Sequence, residues 1–111
     1  MLAGLLMAEG YRFERQFGFA EPDRKWRADF RIGDRLLVEV EGVTYFPNPK
    51  TGENHLGGHQ TRKGVEKDCE KYNAMAILGW DLLRFTQFMI YDGRALDTIN
   101  RYFAERAKTE Q

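Results

Sequence analysis

The stretch Trp26–Gly42, WRADFRIGDRLLVEVEG, is built from two alternating runs. In the first, Trp26, Ala28, Phe30 and Ile32 alternate with Arg27, Asp29 and Arg31. In the second, Leu36, Val38 and Val40 alternate with Leu37, Glu39 and Glu41. A period of two marks a strand with unlike faces, so the stretch reads as a β-hairpin. A two-residue turn at Gly33-Asp34 sets Ile32 against Arg35 and Asp29 against Val38, mixing apolar and charged side chains. A three-residue loop, Gly33-Asp34-Arg35, sets Ile32 against Leu36, Phe30 against Val38 and Ala28 against Val40. The same loop sets Asp29 against Glu39 and Arg27 against Glu41. Such loops are common in hairpins. Because a one-residue slip exchanges the faces, burial selects the second register.

That register has a chemical consequence. Directly opposed side chains have Cβ atoms roughly 4.5–5.5 Å apart, where two carboxylates repel. A cation between them relieves the repulsion, and oxygen ligands suit Mg²⁺, Mn²⁺ or Ca²⁺. The plainer reading is a solvated strand face on which Arg27 and Arg31 neutralise the acids. Both stay open at this point.

The chain has 111 residues, which predicts one domain over 1–111, and its 42% hydrophobic and 14% aromatic content is enough for a core. Seventeen basic and seventeen acidic residues cancel, so a nucleic-acid partner would need a local basic patch. The single cysteine, Cys69, excludes an internal disulfide and fits a reducing, cytoplasmic compartment. Met1–Ala8 lacks a basic region of the kind that opens a signal peptide. No run approaches the ~20 apolar residues of a membrane span.

Outward from the hairpin, Met1–Glu9 predicts a short apolar helix that Gly10 stops. Tyr11–Phe19 predicts a strand with Tyr11, Phe13, Phe17 and Phe19 on one face and Arg12, Glu14, Gln16 and Gly18 on the other. Glu14 either joins Asp29 and Glu39 or pairs with Arg12 or Arg27. Ala20–Arg24 contains Pro22-Asp23 and reads as a turn. Gly42–Thr61 reads as a long loop without regular structure, a common place for function. Its Tyr45, Phe46, Lys50, His55 and His59 could meet a flexible polymer or fold over the sheet edge.

Arg62–Leu78 predicts a helix with Val65, Cys69, Tyr72 and Ala76 as its buried stripe and Lys63, Lys67 and Lys71 opposite. Trp80–Phe85 predicts a buried strand parallel to Leu36–Glu41 through the helical crossover. A last helix follows Asp92-Gly93, with Leu96, Ile99, Tyr102, Phe103 and Arg106 at helical spacing, and 108–111 should fray.

The order αβββαβ, with Asp29, nine residues, then Glu39-Val40-Glu41, resembles the PD-(D/E)XK nuclease superfamily. Within it, RKWRADF (24–30), LLVEVEG (36–42), GGHQTRKGVEKDCEKYNAMAILGW (57–80) and LLRF (82–85) resemble small phage and prophage endonuclease-like proteins related to the very-short-patch-repair type. The resemblance implies an α/β fold with a restriction-endonuclease-like αβββαβ core: a mixed four-stranded sheet with flanking helices. It implies metal-dependent hydrolysis of DNA phosphodiesters. Asp29 and Glu39 would bind Mg²⁺, with Mn²⁺ as a substitute, the carbonyl of Val40 would add a ligand, and Glu14 is a further candidate.

The usual third motif residue is lysine, where this chain has Glu41. That glutamate could orient the attacking water or hold a second metal. Lys67 or Lys71 could reach the site from the helix instead, or Arg27 could simply pair with Glu41. His59, Arg62 and Lys63 lie at the mouth of the crossover helix, where donors suit phosphate. A duplex cutter of this size often works as a homodimer. Two other readings remain: a nucleic-acid-binding module that kept the fold without the chemistry, and a structural domain whose acids pair with Arg27 and Arg31.

Overall fold

The computed structural model describes residues 1–42, 44–47, 54–57 and 61–109. Helix α1 (Leu2–Ala8) precedes strands β1 (Phe13–Gly18), β2 (Arg27–Ile32) and β3 (Leu36–Glu41). A short pair, β4 (Thr44–Pro47) and β5 (Asn54–Gly57), follows, then α2 (Arg62–Ile77), β6 (Asp81–Thr86), α3 (Gln87–Tyr91) and α4 (Arg94–Thr109). The main sheet has the order β1-β2-β3-β6. Its first three strands are antiparallel, and β6 runs parallel to β3 from Leu36–Asp81 to Glu41–Thr86. This is the mixed four-stranded α/β sheet with flanking helices that the sequence implies.

The sheet is covered on both faces. On one lie Leu2 and Leu6 of α1 and Ala95 and Ile99 of α4, packed on Phe30, Ile32, Leu36, Val38 and Phe85. On the other lie Leu37, Ala28, Phe19 and Met75 of α2, with Trp80 and Leu82 against them. Leu36, Leu37 and Val38 are successive and all fully buried, which only a strand sandwiched between two layers achieves. No helix among the described residues is long and apolar enough to cross a membrane.

The β2–β3 register is the one the three-residue loop dictates, with Ile32 opposite Leu36 and Phe30 opposite Val38. Gly33, in the loop, has a φ of 63°, a backbone that glycine adopts without strain. The ladder ends at Phe30–Val38, however, so the expected pairing of Asp29 with Glu39, Ala28 with Val40 and Arg27 with Glu41 does not continue it.

Strand β1 departs from the sequence reading in a related way. Residues two apart on a regular strand share a face. Here Phe13 packs on Phe30 in the first layer, with ring centroids 6.0 Å apart, whereas Phe17 packs on Trp80 in the second, 5.4 Å away. The break is Gln16, which has a φ of 51° and drops out of the ladder between Arg15–Phe30 and Phe17–Ala28. Across from it, Phe30 and Ala28 belong to different layers as well. Both strands therefore exchange faces at the Gln16–Asp29 step, and Tyr11, Phe13, Phe17 and Phe19 do not share one face.

Helix α2 also presents another side than expected. Of the expected stripe only Tyr72 packs against the second layer, beside buried Met75; Val65 is 44% exposed, and Cys69 and Ala76 are exposed too. The rotation is fixed by polar contacts with β3: Lys71 pairs with Glu39, and the Tyr72 hydroxyl donates to Glu41 Oε1 at 3.2 Å. Thr61 caps the helix by accepting from the Gly64 amide at 3.0 Å. Two short elements were not anticipated: the β4–β5 pair inside the 42–61 segment, and α3, which Thr86 caps by accepting from the Met89 amide.

Candidate functional site

The site sits where β2 parts from β3. Freed from the ladder, Asp29 Oδ2 accepts the Val40 amide at 2.7 Å, and Oδ1 lies 3.5 Å from Gln16 Nε2. The Asp29 carboxyl comes within hydrogen-bonding reach of Glu39, which is only 7% exposed. Lys71 of α2 forms an ion pair with Glu39 Oε1. That contact satisfies charge by proximity, yet the same buried oxygen lacks a partner of hydrogen-bond geometry.

Burial, chiefly, pushes the Glu39 carboxyl up to about 7; Asp29 pushes the same way and Lys71 opposes it. The native state then holds a proton on Glu39 between its ordinary value of 4.5 and about 7, where the unfolded chain has lost it. Glu39 therefore adds stability below about 4.5 that is lost as pH rises through 7. Glu39→Gln is expected to remove this loss. Urea midpoints at pH 5 and 8 should lie closer together in the variant than in the wild-type protein; an equal spacing would place the Glu39 titration elsewhere.

Glu41 points to other partners. Its Oε1 accepts from Arg84 Nε at 2.7 Å as well as from Tyr72, and the Arg84 guanidinium lies 4.4 Å from the Tyr72 ring centre. Burial, and secondarily Glu41, hold the Tyr72 phenol above its usual range. The hydrogen bond to Glu41 likewise raises the Arg84 value. Arg27 does not meet Glu41; it donates to the Gln16 carbonyl at 2.9 Å and lies 3.8 Å from Glu21. The end of the β2–β3 ladder separates Arg27 from Glu41.

Glu14 is not brought to the acid pair. Its Cα sits opposite Arg31, its carboxylate lies 3.6 Å from that guanidinium, and the Gln16 break intervenes before Asp29. Arg31 is thus engaged by Glu14, and neither Arg27 nor Arg31 neutralises Asp29 or Glu39. Val40 is at the pair through its amide. Lys67, one turn before Lys71, is exposed and makes no ion pair among the described residues. Lys63 is likewise exposed, and Arg62 pairs with Glu66 at 3.0 Å. His59 lies outside the described residues.

In front of Asp29 is a cleft of about 360 Å³, lined by Arg15, Gln16 and Phe30 of the sheet and Gln87 and Tyr91 of α3. Neither α3 residue is a candidate from sequence: Thr86 is a suitable helix cap, but the five residues of α3 are too few to show a helical period. Arg84 was findable: a strand at 80–85 parallel to β3 brings it alongside Glu39.

Among the described residues no three His, Cys, Asp or Glu side chains gather as a metal cage. Two carboxylates do gather, and Mg²⁺ is commonly held by one or two carboxylates with water and phosphate completing its shell. The donor set therefore fits a hard divalent ion. Compared with protein-family models, with curated proteins and with solved structures, the chain matches none.

Proposed function

We propose that this protein is an Mg²⁺-dependent endonuclease that hydrolyses DNA phosphodiester bonds, and that it works in the cytoplasm, where its one free cysteine stays reduced. The observation that carries the reading is the acid pair of half-buried Asp29 and buried Glu39, held open at the end of the β2–β3 ladder with Lys71 against Glu39. Acids alone repel a phosphate, so a binding role for this pair requires a cation. Asp29 and Glu39 would hold Mg²⁺ or Mn²⁺. A bound metal supplies polarisation of a phosphoryl oxygen and a lowered pKa for its water.

The chain's own residues do the rest. Lys71 adds positive charge beside the reacting phosphoryl group, the part that lysine plays in the PD-(D/E)XK motif where this chain has Glu41. In hydrolysis, the water oxygen bonds to phosphorus, one ester oxygen leaves with the electron pair, and a proton passes to it. Charge builds on the phosphoryl oxygens, and positioned cations stabilise it. Glu41 orients Arg84, whose guanidinium stays half exposed on the same sheet face and suits a neighbouring phosphate.

Two measurements test this reading. Supercoiled plasmid should be nicked in Mg²⁺ and spared when EDTA is added. Titration calorimetry should detect Mn²⁺ binding that Glu39→Gln weakens at least tenfold, as expected when one of two carboxylate ligands goes. DNA retained without nicking and without Mn²⁺ binding would instead identify a non-catalytic binding module.

A further inference from the structure

We infer that the cleft in front of Asp29 takes one unpaired nucleotide of a DNA strand, with its base stacked on Tyr91. The substrate of the nuclease is then DNA with single-stranded character. This rests on the reading of Asp29 and Glu39 as the phosphate-handling pair.

The cleft's volume of about 360 Å³ falls at the small end of ligand sites, the scale of one nucleotide. Its lining is mixed in a way a nucleotide can use. Tyr91 closes α3 with its side chain 64% exposed, and it lines the cleft. An exposed aromatic ring beside a strand-binding groove is a stacking platform, sequence-tolerant because every base has a π-face. The amides of Gln16 and Gln87 each offer a donor and an acceptor to a base edge. Arg15 rests on the Phe30 ring, 5.7 Å from its centre, and makes no ion pair among the described residues. Its guanidinium is available to a phosphate. Asp29 lines the same cleft and Glu39 does not, so the nucleotide's phosphate would meet the acid pair from its Asp29 side.

The cleft exists because both strands exchange faces at Gln16 and Asp29, which moves Phe17 to the other layer. A paired base would have to leave its stack to enter, at a cost of a few kcal/mol that is least for DNA already single-stranded. Selectivity for unpaired DNA follows from the shape of the cleft.

The test is fluorescence anisotropy with the whole chain, Ca²⁺ replacing Mg²⁺, and two labelled probes: oligothymidylate of about ten nucleotides and a blunt hairpin duplex. The single strand should bind more tightly than the duplex. Tyr91→Ala should weaken single-strand binding about ten- to hundredfold and leave duplex binding within twofold, while Tyr91→Phe should retain the wild-type affinity. Equal single-strand binding by wild type and Tyr91→Ala overturns the inference. So does displacement of the strand by an equal nucleotide concentration of thymidine monophosphate, which would make the cleft a mononucleotide site. The two readings fail separately. Tyr91-dependent strand binding without nicking leaves the cleft and removes the nuclease; Asp29-dependent nicking with Tyr91→Ala neutral does the reverse.

Discussion

Asp29→Asn is expected to lower plasmid cleavage by about 10³-fold or more while leaving the protein at least as stable as wild type. Losing one of two metal carboxylates removes several kcal/mol of transition-state stabilisation, and each 1.36 kcal/mol is tenfold in rate. The folding effect has the opposite sign. Asparagine keeps a carbonyl oxygen that can still accept the Val40 amide, now 2.7 Å from Asp29 Oδ2. It removes a negative charge beside Glu39, one of the influences that raise the Glu39 carboxyl, so the folded state gains where Glu39 is ionised. Relieved of that neighbour, Glu39 should titrate lower than about 7. Asp29→Ala separates the two roles: it strands the Val40 amide without an acceptor, so it should lose activity and also about 1–3 kcal/mol of stability. Urea denaturation at pH 8 beside a nicking assay reads both. Cleavage within tenfold of wild type in Asp29→Asn would remove Asp29 from the chemistry. Activity falling only in step with stability would make it a structural residue.

The hairpin around these acids was legible because burial and alternation agree over Phe30–Ile32 and Leu36–Val38, and only one register keeps Ile32, Phe30, Leu36 and Val38 together. The parallel placement of β6 followed from the crossover helix between it and β3. What the pattern hid was its own interruption. Glutamine carries no signature of a left-handed backbone, so the φ of 51° at Gln16 left Phe17 looking like a continuation of the Phe13 face. The same blindness hid the cleft.

Helix α2 shows a different limit. Val65, Cys69 and Ala76 have the spacing of a core stripe, yet the helix is turned by Lys71 and Tyr72 reaching two buried-edge glutamates. Spacing registers apolar residues and cannot weigh them against an ion pair. That Lys71, one of two lysine candidates, is the one at Glu39 is decided by the same rotation.

Lys71→Met should produce a loss of stability that depends on pH, together with a fall in cleavage of about 10²–10³-fold at pH 7–8. Methionine keeps the length and apolar stem of the side chain and removes the positive charge at Glu39 Oε1. Lys71 is the influence that holds the Glu39 value down, so its removal sends a carboxyl already at about 7 higher still. A raised acid contributes stability at low pH and forfeits it as pH climbs through the folded value. At pH 5, Glu39 is protonated with or without Lys71, and the variant should match wild type closely. At pH 9 the carboxylate must either take a proton or stay buried without its counter-charge. Breaking a buried pair sets about 3–5 kcal/mol as the upper limit there. The acidic limb of the cleavage profile should move up in pH for the same reason, because the carboxylate form that binds metal is reached later. Lys71→Arg, which restores the charge, should recover stability at pH 9. Lys67→Met, on an exposed position one turn away, should shift stability by less than about 0.5 kcal/mol at either pH. A Lys71→Met penalty equal at pH 5 and 9 would mean that the side chain matters only for packing, and the charge coupling between α2 and the acid pair would have to be given up.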